Sequence, residues 1–439
     1  MLRRSMYRRR RLRYLLVAAG VLAGVGVVVA AYLVVLLPLG SPRSTPPPSV
    51  NLSVSPTKPT CPTAELADAP RLGKVAWINA GSLTVIDLWT CRQAGLVKTG
   101  AAPPVRFSPD GRWLAFGEGR VVPVGGGTMQ QPLGSPVQAW EWSPAADVLA
   151  GVTQKGGVLI APLGAGVETL LPEGSGVGHL AFSSDGRRLA IDRVGRGIQV
   201  LDVATGKALT VFPQPDPARV PMVAGWSPDG QWVLYWRGAV GKEAGPLDAA
   251  PARGGGWVNL FDPVLPYRDF LSFCGRRIAL TAGAGQAVSV GKQILLTGPP
   301  TWGFHNLTND YSRSWLWPAC SPNGRWLAAT DSLNQGESAD HTVPRGLWLL
   351  ASDGSSRRLL VPGTAGAPEF PRWSSDASVI LVVLRSGSQW SSPGSLLVVQ
   401  VDPRSGRMVK RVGPIADLGA APGPGGHQEW AAISDWYRP

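Results

Sequence analysis

Charged side chains make up only 16% of this 439-residue chain, and histidine occurs four times, at His179, His305, His341 and His427. So little titratable material leaves few ways to build an acid–base or metal site. The chain has no Gly-x-Ser-x-Gly, no His-Glu-x-x-His and no phosphate loop, which removes the common hydrolase, zinc-protease and nucleotide signatures. Four cysteines (Cys61, Cys91, Cys274, Cys320) are too far apart for a Cys-x-x-Cys metal site. In an oxidising compartment they permit two disulfides, with three possible pairings. Beyond the first forty residues there is no long helical pattern. What is abundant is Trp (18), Gly (55) and Pro (41), a composition that suits an all-β fold with many tight turns.

Leu15 to Leu37 is an uncharged run of 23 residues, long enough at ~1.5 Å per residue to cross a hydrocarbon core of ~30 Å. Seven arginines precede it (Arg3, Arg4, Arg8, Arg9, Arg10, Arg11, Arg13), and positive charge beside an apolar helix stays on the cytoplasmic side. The expected topology is a single-pass anchor in the cytoplasmic membrane, with the rest of the chain outside. The alternative is a cleaved secretory signal, with Val28-Val29-Ala30 as a weak cleavage site, but its apolar core would usually be about 7 to 15 residues. Cys61 lies too far beyond the run for a lipoprotein. Gly20 and Gly24 form a GxxxG pair that small residues in such helices produce commonly.

The net charge is +13, and seven of those charges belong to the arginines of the stub, leaving +6 for the remainder. That is modest, and no nucleic-acid partner is expected. The stub suits anionic lipid headgroups, with topology control the simpler account. Gly40 to about Arg71 is rich in Pro, Ser and Thr and reads as an extended stalk. The expected organisation is a basic stub (1–14), a transmembrane helix (15–37), a stalk (38–72) and a repeat domain (73–439).

One phrase recurs: an aromatic or apolar residue, Ser, Pro or Ser, Asp or Asn, Gly, a polar residue, then an apolar strand. Clear copies are Phe107-Ser108-Pro109-Asp110-Gly111, Phe182-Ser183-Ser184-Asp185-Gly186, Trp226-Ser227-Pro228-Asp229-Gly230 and Cys320-Ser321-Pro322-Asn323-Gly324. Weaker copies begin at Trp142 and Trp373, and a shortened one runs Phe273-Cys274-Gly275-Arg276-Arg277. Successive copies are 35, 40, 44, 47, 47 and 53 residues apart, close to the length of a four-stranded propeller blade. The phrase encodes a hairpin: Pro presets φ, Asp or Asn bonds nearby backbone, and Gly takes the exit position. A second phrase, Asp202-Val203-Ala204-Thr205-Gly206 and Asp402-Pro403-Arg404-Ser405-Gly406, with an imperfect copy at Asp87, marks the next hairpin. Each blade then reads as strand a, the Ser-Pro-Asp-Gly turn, strand b, a loop, strand c, the Asp-x-x-Thr-Gly turn and strand d, with the aromatic packed between blades.

With these motifs the stretch from about Gly73 onward resembles the TolB-type β-propeller family, whose repeats carry WSPDG before an apolar strand and often D-x-x-T-G. The resemblance implies an all-β propeller of four-stranded blades. It implies no activity, because the motif supplies turn residues rather than reactive groups. Lys74 to Gly100 supplies strands b, c and d but lacks strand a; Glu429-Trp430-Ala431-Ala432-Ile433 is expected to provide it and close the ring. Eight blades result, with seven as the alternative because the repeats between Gly230 and Tyr311 are degenerate.

Other chemistry is sparse. Gly336 to His341, with Asp331 upstream in the same loop, reads as a polar loop. The Asp-x-x-Thr-Gly-Lys phrase is similar to that of quinone-cofactor propellers, which require a Trp at fixed spacing, whereas Ala208-Leu209-Thr210 follows Lys207. Asp110, Asp185 and Asp229 fall on different blades, which suits turn capping better than a Ca²⁺ site. No cofactor and no metal is expected. Two function classes remain: a non-catalytic binding or sensing scaffold for an envelope protein, peptide or glycan, and a propeller-type lyase, hydrolase or cyclotransferase. Binding is the expectation. Long insertions (Pro213 to Pro221, Gly238 to Gly256, Pro299 to Tyr311, Asp331 to Arg345, Arg385 to Pro393) are assigned to b–c or d–a connections, which share one face of the disc. The stalk enters at strand b of the first blade, so that loop-rich face is expected to point away from the membrane. Loops on a rigid scaffold are where binding usually resides, which makes Arg237, Arg253, Trp257, Trp302, His305, Tyr311, Arg345 and Trp390 candidate contact residues.

For the cysteines, Phe273 aligns with Cys320, so Cys274 sits one residue later. Successive strand residues point to opposite faces, and on adjacent inner strands the two either face each other or point apart. Pairing of Cys274 with Cys320 is expected, leaving Cys61 with Cys91.

Overall fold

The computed structural model describes residues 72–214, 221–237, 245–264, 271–282, 291–310, 312–333, 346–386, 393–420 and 434–438. Chain contacts divide the molecule into Met1–Ser53, outside the described residues, and Val54–Pro439, which holds all of them. The stub, the apolar run and the stalk up to residue 71 thus lie outside. Among the described residues no helix is long and apolar enough to cross a membrane.

The described residues form eight antiparallel sheets, the blades of a propeller. Blade 1 is composite: strands b, c and d are Lys74–Asn79, Ser82–Asp87 and Gln93–Val97, and strand a is the C-terminal Ser434–Tyr437. Blade 2 has three strands, beginning at Val105–Phe107, with Gln130 bridged to Val121 in place of a full strand d. Blades 3 to 8 begin with strands a at Val137–Trp142, Val177–Phe182, Met222–Trp226, Leu271–Cys274, Arg313–Cys320 and Ala367–Trp373. Blade 8 gains a further strand, Asp417–Ala420, paired with Pro393–Val401.

The hairpin between strands a and b has one hydrogen-bond pattern in five blades. In blade 5 the Ser227 hydroxyl donates to Asp229 and accepts from the Trp232 N–H at 3.0 Å, while Asp229 accepts from the Gln231 N–H at 3.0 Å. Ser108, Ser183, Ser321 and Ser374 repeat it. The Ser183 hydroxyl and the Arg187 N–H accordingly hold the Asp185 carboxyl below its ordinary range. The exit residue is left-handed, with φ of 69°, 69°, 65° and 68° at Gly111, Gly186, Gly230 and Gly324, a conformation that costs other residues roughly 1–2 kcal/mol. Blade 8 places Ala377 there at φ 62°.

The motif tryptophans tie one blade to the one before it. The indole N–H of Trp226 donates to the Ala181 carbonyl at 2.8 Å, Trp373 to Ala319 at 2.8 Å, and Trp142 to Arg106 at 3.3 Å. Apolar clusters fill the gaps between blades, and the largest runs from blade 7 through blades 8 and 1 to blade 2, so the core is continuous across the join of the termini. In that join Trp436 plays the part of a motif tryptophan: it is 4% exposed and donates to the Leu72 carbonyl.

Four expectations need correction. The strand that closes blade 1 is Ser434–Tyr437, in register with Lys74–Trp77; Glu429–Ile433 lies outside the described residues. Gly238 to Gly256 is not one insertion, because Gly245–Pro251 is strand c of blade 5, paired with Trp232–Trp236. The Pro299 to Tyr311 stretch contains strand d of blade 6, His305–Asn306, so 298–304 is a c–d connection. Asp331 belongs to strand b of blade 7 and is buried, rather than lying in a loop.

Cys274 and Cys320 form a disulfide with Cα atoms 5.1 Å apart. Blade 6 lacks the four-residue turn, so Cys274 pairs with Arg277 across a two-residue hairpin and takes the buried place of the motif serine. That position faces Cys320 of the next blade. Cys91 is also disulfide-bonded, while Cys61, its expected partner, lies outside the described residues.

Candidate functional site

Strands a of successive blades lie against one another around the axis, so their side chains line the central channel. The residue immediately before the motif aromatic has a repeated duty. In blade 1 the Asp435 carboxylate accepts from the Phe107 N–H of blade 2 at 2.8 Å. In blade 3 Glu141 accepts from the Phe182 N–H of blade 4 at 3.3 Å, and in blade 6 the Ser272 hydroxyl accepts from the Cys320 N–H of blade 7 at 2.9 Å. These side chains latch neighbouring inner strands together.

Identity at this position divides the ring. In the neighbouring blades 8, 1 and 2 it is Arg372, Asp435 and Arg106; in blades 4 to 7 it is Ala181, Gly225, Ser272 and Ala319. Small residues on one side and long charged ones on the other leave a cavity of about 330 Å³, lined by Arg106, Arg372, Asp435 and Arg438 on one wall and Ser272 and Ala319 on the other. Arg372 and Asp435 approach to 3.4 Å, and Arg438 donates to the Trp373 carbonyl. Burial lowers the Arg438 guanidinium from its ordinary value, with Asp435 opposing the shift. Trp317 and Phe370, each followed by Pro, hold φ of 51° and 50° at bulges in adjacent strands. Their rings meet at 4.5 Å and complete the apolar part of the lining. Two members of this wall, Arg106 and Arg372, stand one residue before motif copies in the sequence, whereas Asp435 and Arg438 belong to the closing strand and its end, where no motif copy marks them.

The residues selected from the sequence do not gather on one face. Arg237 directly follows strand b of blade 5; its Nε lies 2.8 Å from the buried Asp248 carboxylate and its guanidinium 4.4 Å from the Trp257 ring centre. Those two are brought together. Arg253 and Trp257, however, belong to the c–d connection of blade 5, Trp302 belongs to that of blade 6 and His305 begins the strand d that follows it, which is the side of the Ser-Pro-Asp-Gly turns. Trp302 is buried against Trp232, ring centres 5.0 Å apart; His305 is exposed beside Gly354 of blade 7. Tyr311, Arg345 and Trp390 lie outside the described residues, as does His341. Among the described residues no group of three or more His, Cys, Asp or Glu could hold a metal ion.

Exposed large apolar side chains follow a pattern missed in the sequence. Every blade presents at least one in its c–d connection or in the first three residues of strand d: Trp89, Met129, Val167, Leu209, Trp257, Phe304, Leu359 and Met408 in blades 1 to 8. Val409 and, at the a–b hairpin of blade 6, Phe273 add to them. Among the described residues Val194 alone sits in a b–c turn on the opposite side.

No family model and no curated protein matches the sequence. Solved structures similar to the chain include a putative TolB from Agrobacterium tumefaciens, at 16% identity and a TM-score of 0.35, covering 62% of this chain and 94% of that one. An oligogalacturonate lyase from Vibrio parahaemolyticus is similar at 12% identity and 0.46, covering 76% and all of the lyase. A prolyl endopeptidase is similar at 13% and 0.47, covering 84% of this chain and half of that one. Superpositions this loose identify no family and no activity.

Proposed function

We propose that this chain is a membrane-tethered extracytoplasmic propeller acting as a non-catalytic binding scaffold for an envelope protein, docked through the side that carries the Ser-Pro-Asp-Gly turns. The observation that carries this reading is the ring of exposed apolar residues, one or more from each blade on that side. Surface apolar residues scattered singly need no explanation, but these recur in every blade on one side, where a partner spanning the disc would cover several at once. Trp257 and Phe304 are of the aromatic kind enriched where proteins meet. The 23-residue apolar run and the seven arginines before it support the tether and the outward placement. Both acids of the inner latches, Asp435 and Glu141, accept from backbone N–H groups, which gives them a structural use. A pull-down from solubilised membranes with the full chain as bait tests the reading. A partner captured by wild type should be lost with a Trp257→Ser, Met408→Ser double variant and kept with Val194→Ser. Capture that survives the double variant but fails with Val194→Ser overturns it.

One pair favours a propeller-type enzyme as the second reading. Asp192, buried at 2% exposure, accepts from the Gly178, His179 and Val223 N–H groups and lies 3.0 Å from His179 Nδ1. An acceptor so placed fixes the Nδ1–H tautomer and leaves Nε2 of the half-exposed imidazole for a proton. Under this reading His179→Gln abolishes turnover while partner capture is unchanged.

A further inference from the structure

The geometry points to a second, separate site: we infer that the central channel binds a small multiply charged anion of carboxylate or phosphate chemistry. The charged wall brings three guanidinium groups, Arg106, Arg372 and Arg438, to one cavity with one carboxylate, Asp435. That excess of positive charge faces a cleft of about 330 Å³ that is partly open to solvent, and a cleft lined mainly by one sign of charge concentrates the field. Asp435 offsets only one of the three: one oxygen accepts from the Phe107 N–H, and the other pairs with Arg372, leaving a net excess of positive charge. A guanidinium presents five N–H donors in a planar fork that matches carboxylate or phosphate oxygens. The opposite wall contributes Ser272 and Ala319, which leave room that larger residues at the same repeat position would fill. The volume lies near the lower limit of small-molecule sites, so it suits a free anion rather than a folded domain. This site is independent of the apolar ring, and either can fail alone.

Isothermal titration of the full chain in detergent with citrate, and separately with inorganic phosphate, at an ionic strength fixed with sodium chloride, tests the inference. Saturable binding of either probe is expected, weakened at least tenfold by Arg106→Gln. Citrate alone identifies carboxylate chemistry and phosphate alone identifies phosphoryl chemistry; both outcomes support the site. Ala319→Glu adds a carboxylate to the small wall without touching a latch, and it too should weaken binding at least tenfold. It decides the matter if Arg106→Gln does not fold. The inference is overturned if neither probe binds in saturable fashion, or if Ala319→Glu binds as wild type does.

Discussion

Trp436→Ala removes the side chain that makes the composite blade behave like the others. Trp436 is 4% exposed and packs in the cluster that runs from blade 7 through blades 8 and 1 to blade 2. Truncating a buried tryptophan to alanine costs about 3–5 kcal/mol, against a domain stability of roughly 5–15 kcal/mol. Trp436→Phe keeps most of the buried area and loses the indole N–H that donates to Leu72, a cost of about 1 kcal/mol. A graded series follows. With a denaturant slope of about 3 kcal/mol per M, the alanine variant should lower the urea midpoint by about 1 M or more, read by far-ultraviolet circular dichroism. Trp89→Ala, in the exposed c–d turn of blade 1, serves as the control and should shift it little. If Trp436→Ala is no worse than Trp89→Ala, the C-terminal strand does not hold the ring shut.

Three further outcomes follow from the same geometry. Ser227→Ala strips the blade 5 hairpin of a buried hydroxyl that both donates and accepts, and should cost about 1–3 kcal/mol in urea unfolding; an unchanged midpoint contradicts the turn account. Gly111→Ala would place a Cβ 2.4 Å from the Tyr437 ring at a left-handed φ of 69°, costing about 2–4 kcal/mol. Combined with Trp436→Ala the losses should be less than additive, since both act on the closing strand. Burial pushes the Glu369 carboxyl from 4.5 up to about 7, with Arg385 at 2.6 Å opposing the shift. An acid with a raised folded pKa keeps its proton when folded, so its contribution to stability is greatest below about pH 4.5 and is lost as pH rises towards 7. Glu369→Gln should flatten that slope in midpoints measured at pH 5, 6 and 7.5, and an unaltered slope refutes the assignment.

The repeat made the blades legible because the Ser-Pro-Asp-Gly turn is chemically self-contained: its serine, acid and glycine interact within six residues. Closure was harder to place. Glu429–Ile433 looks strand-like by local propensity, but the pairing with Lys74–Trp77 uses Ser434–Tyr437, where Asp435 reaches the Phe107 N–H and Trp436 fills the slot between blades. Gly245–Pro251 escaped notice because Gly-Pro-Leu-Asp-Ala-Ala-Pro has little strand propensity, and flanking strands override such weak preferences. That oversight moved Trp257 to the wrong face. The channel wall is written at one position per blade, some 35 to 63 residues apart, and its asymmetry becomes visible only when the blades are arranged in a circle.

Docking on the face bearing the Ser-Pro-Asp-Gly turns places Val167 and Met408 beside a bound partner and Val194 away from it. Photo-crosslinking in intact cells tests it most directly, with a photoreactive residue placed singly at Val167, Met408 or Val194 of the full chain. One shared adduct is expected from Val167 and Met408, and none from Val194. An adduct formed from Val194 while Val167 and Met408 stay bare would contradict it.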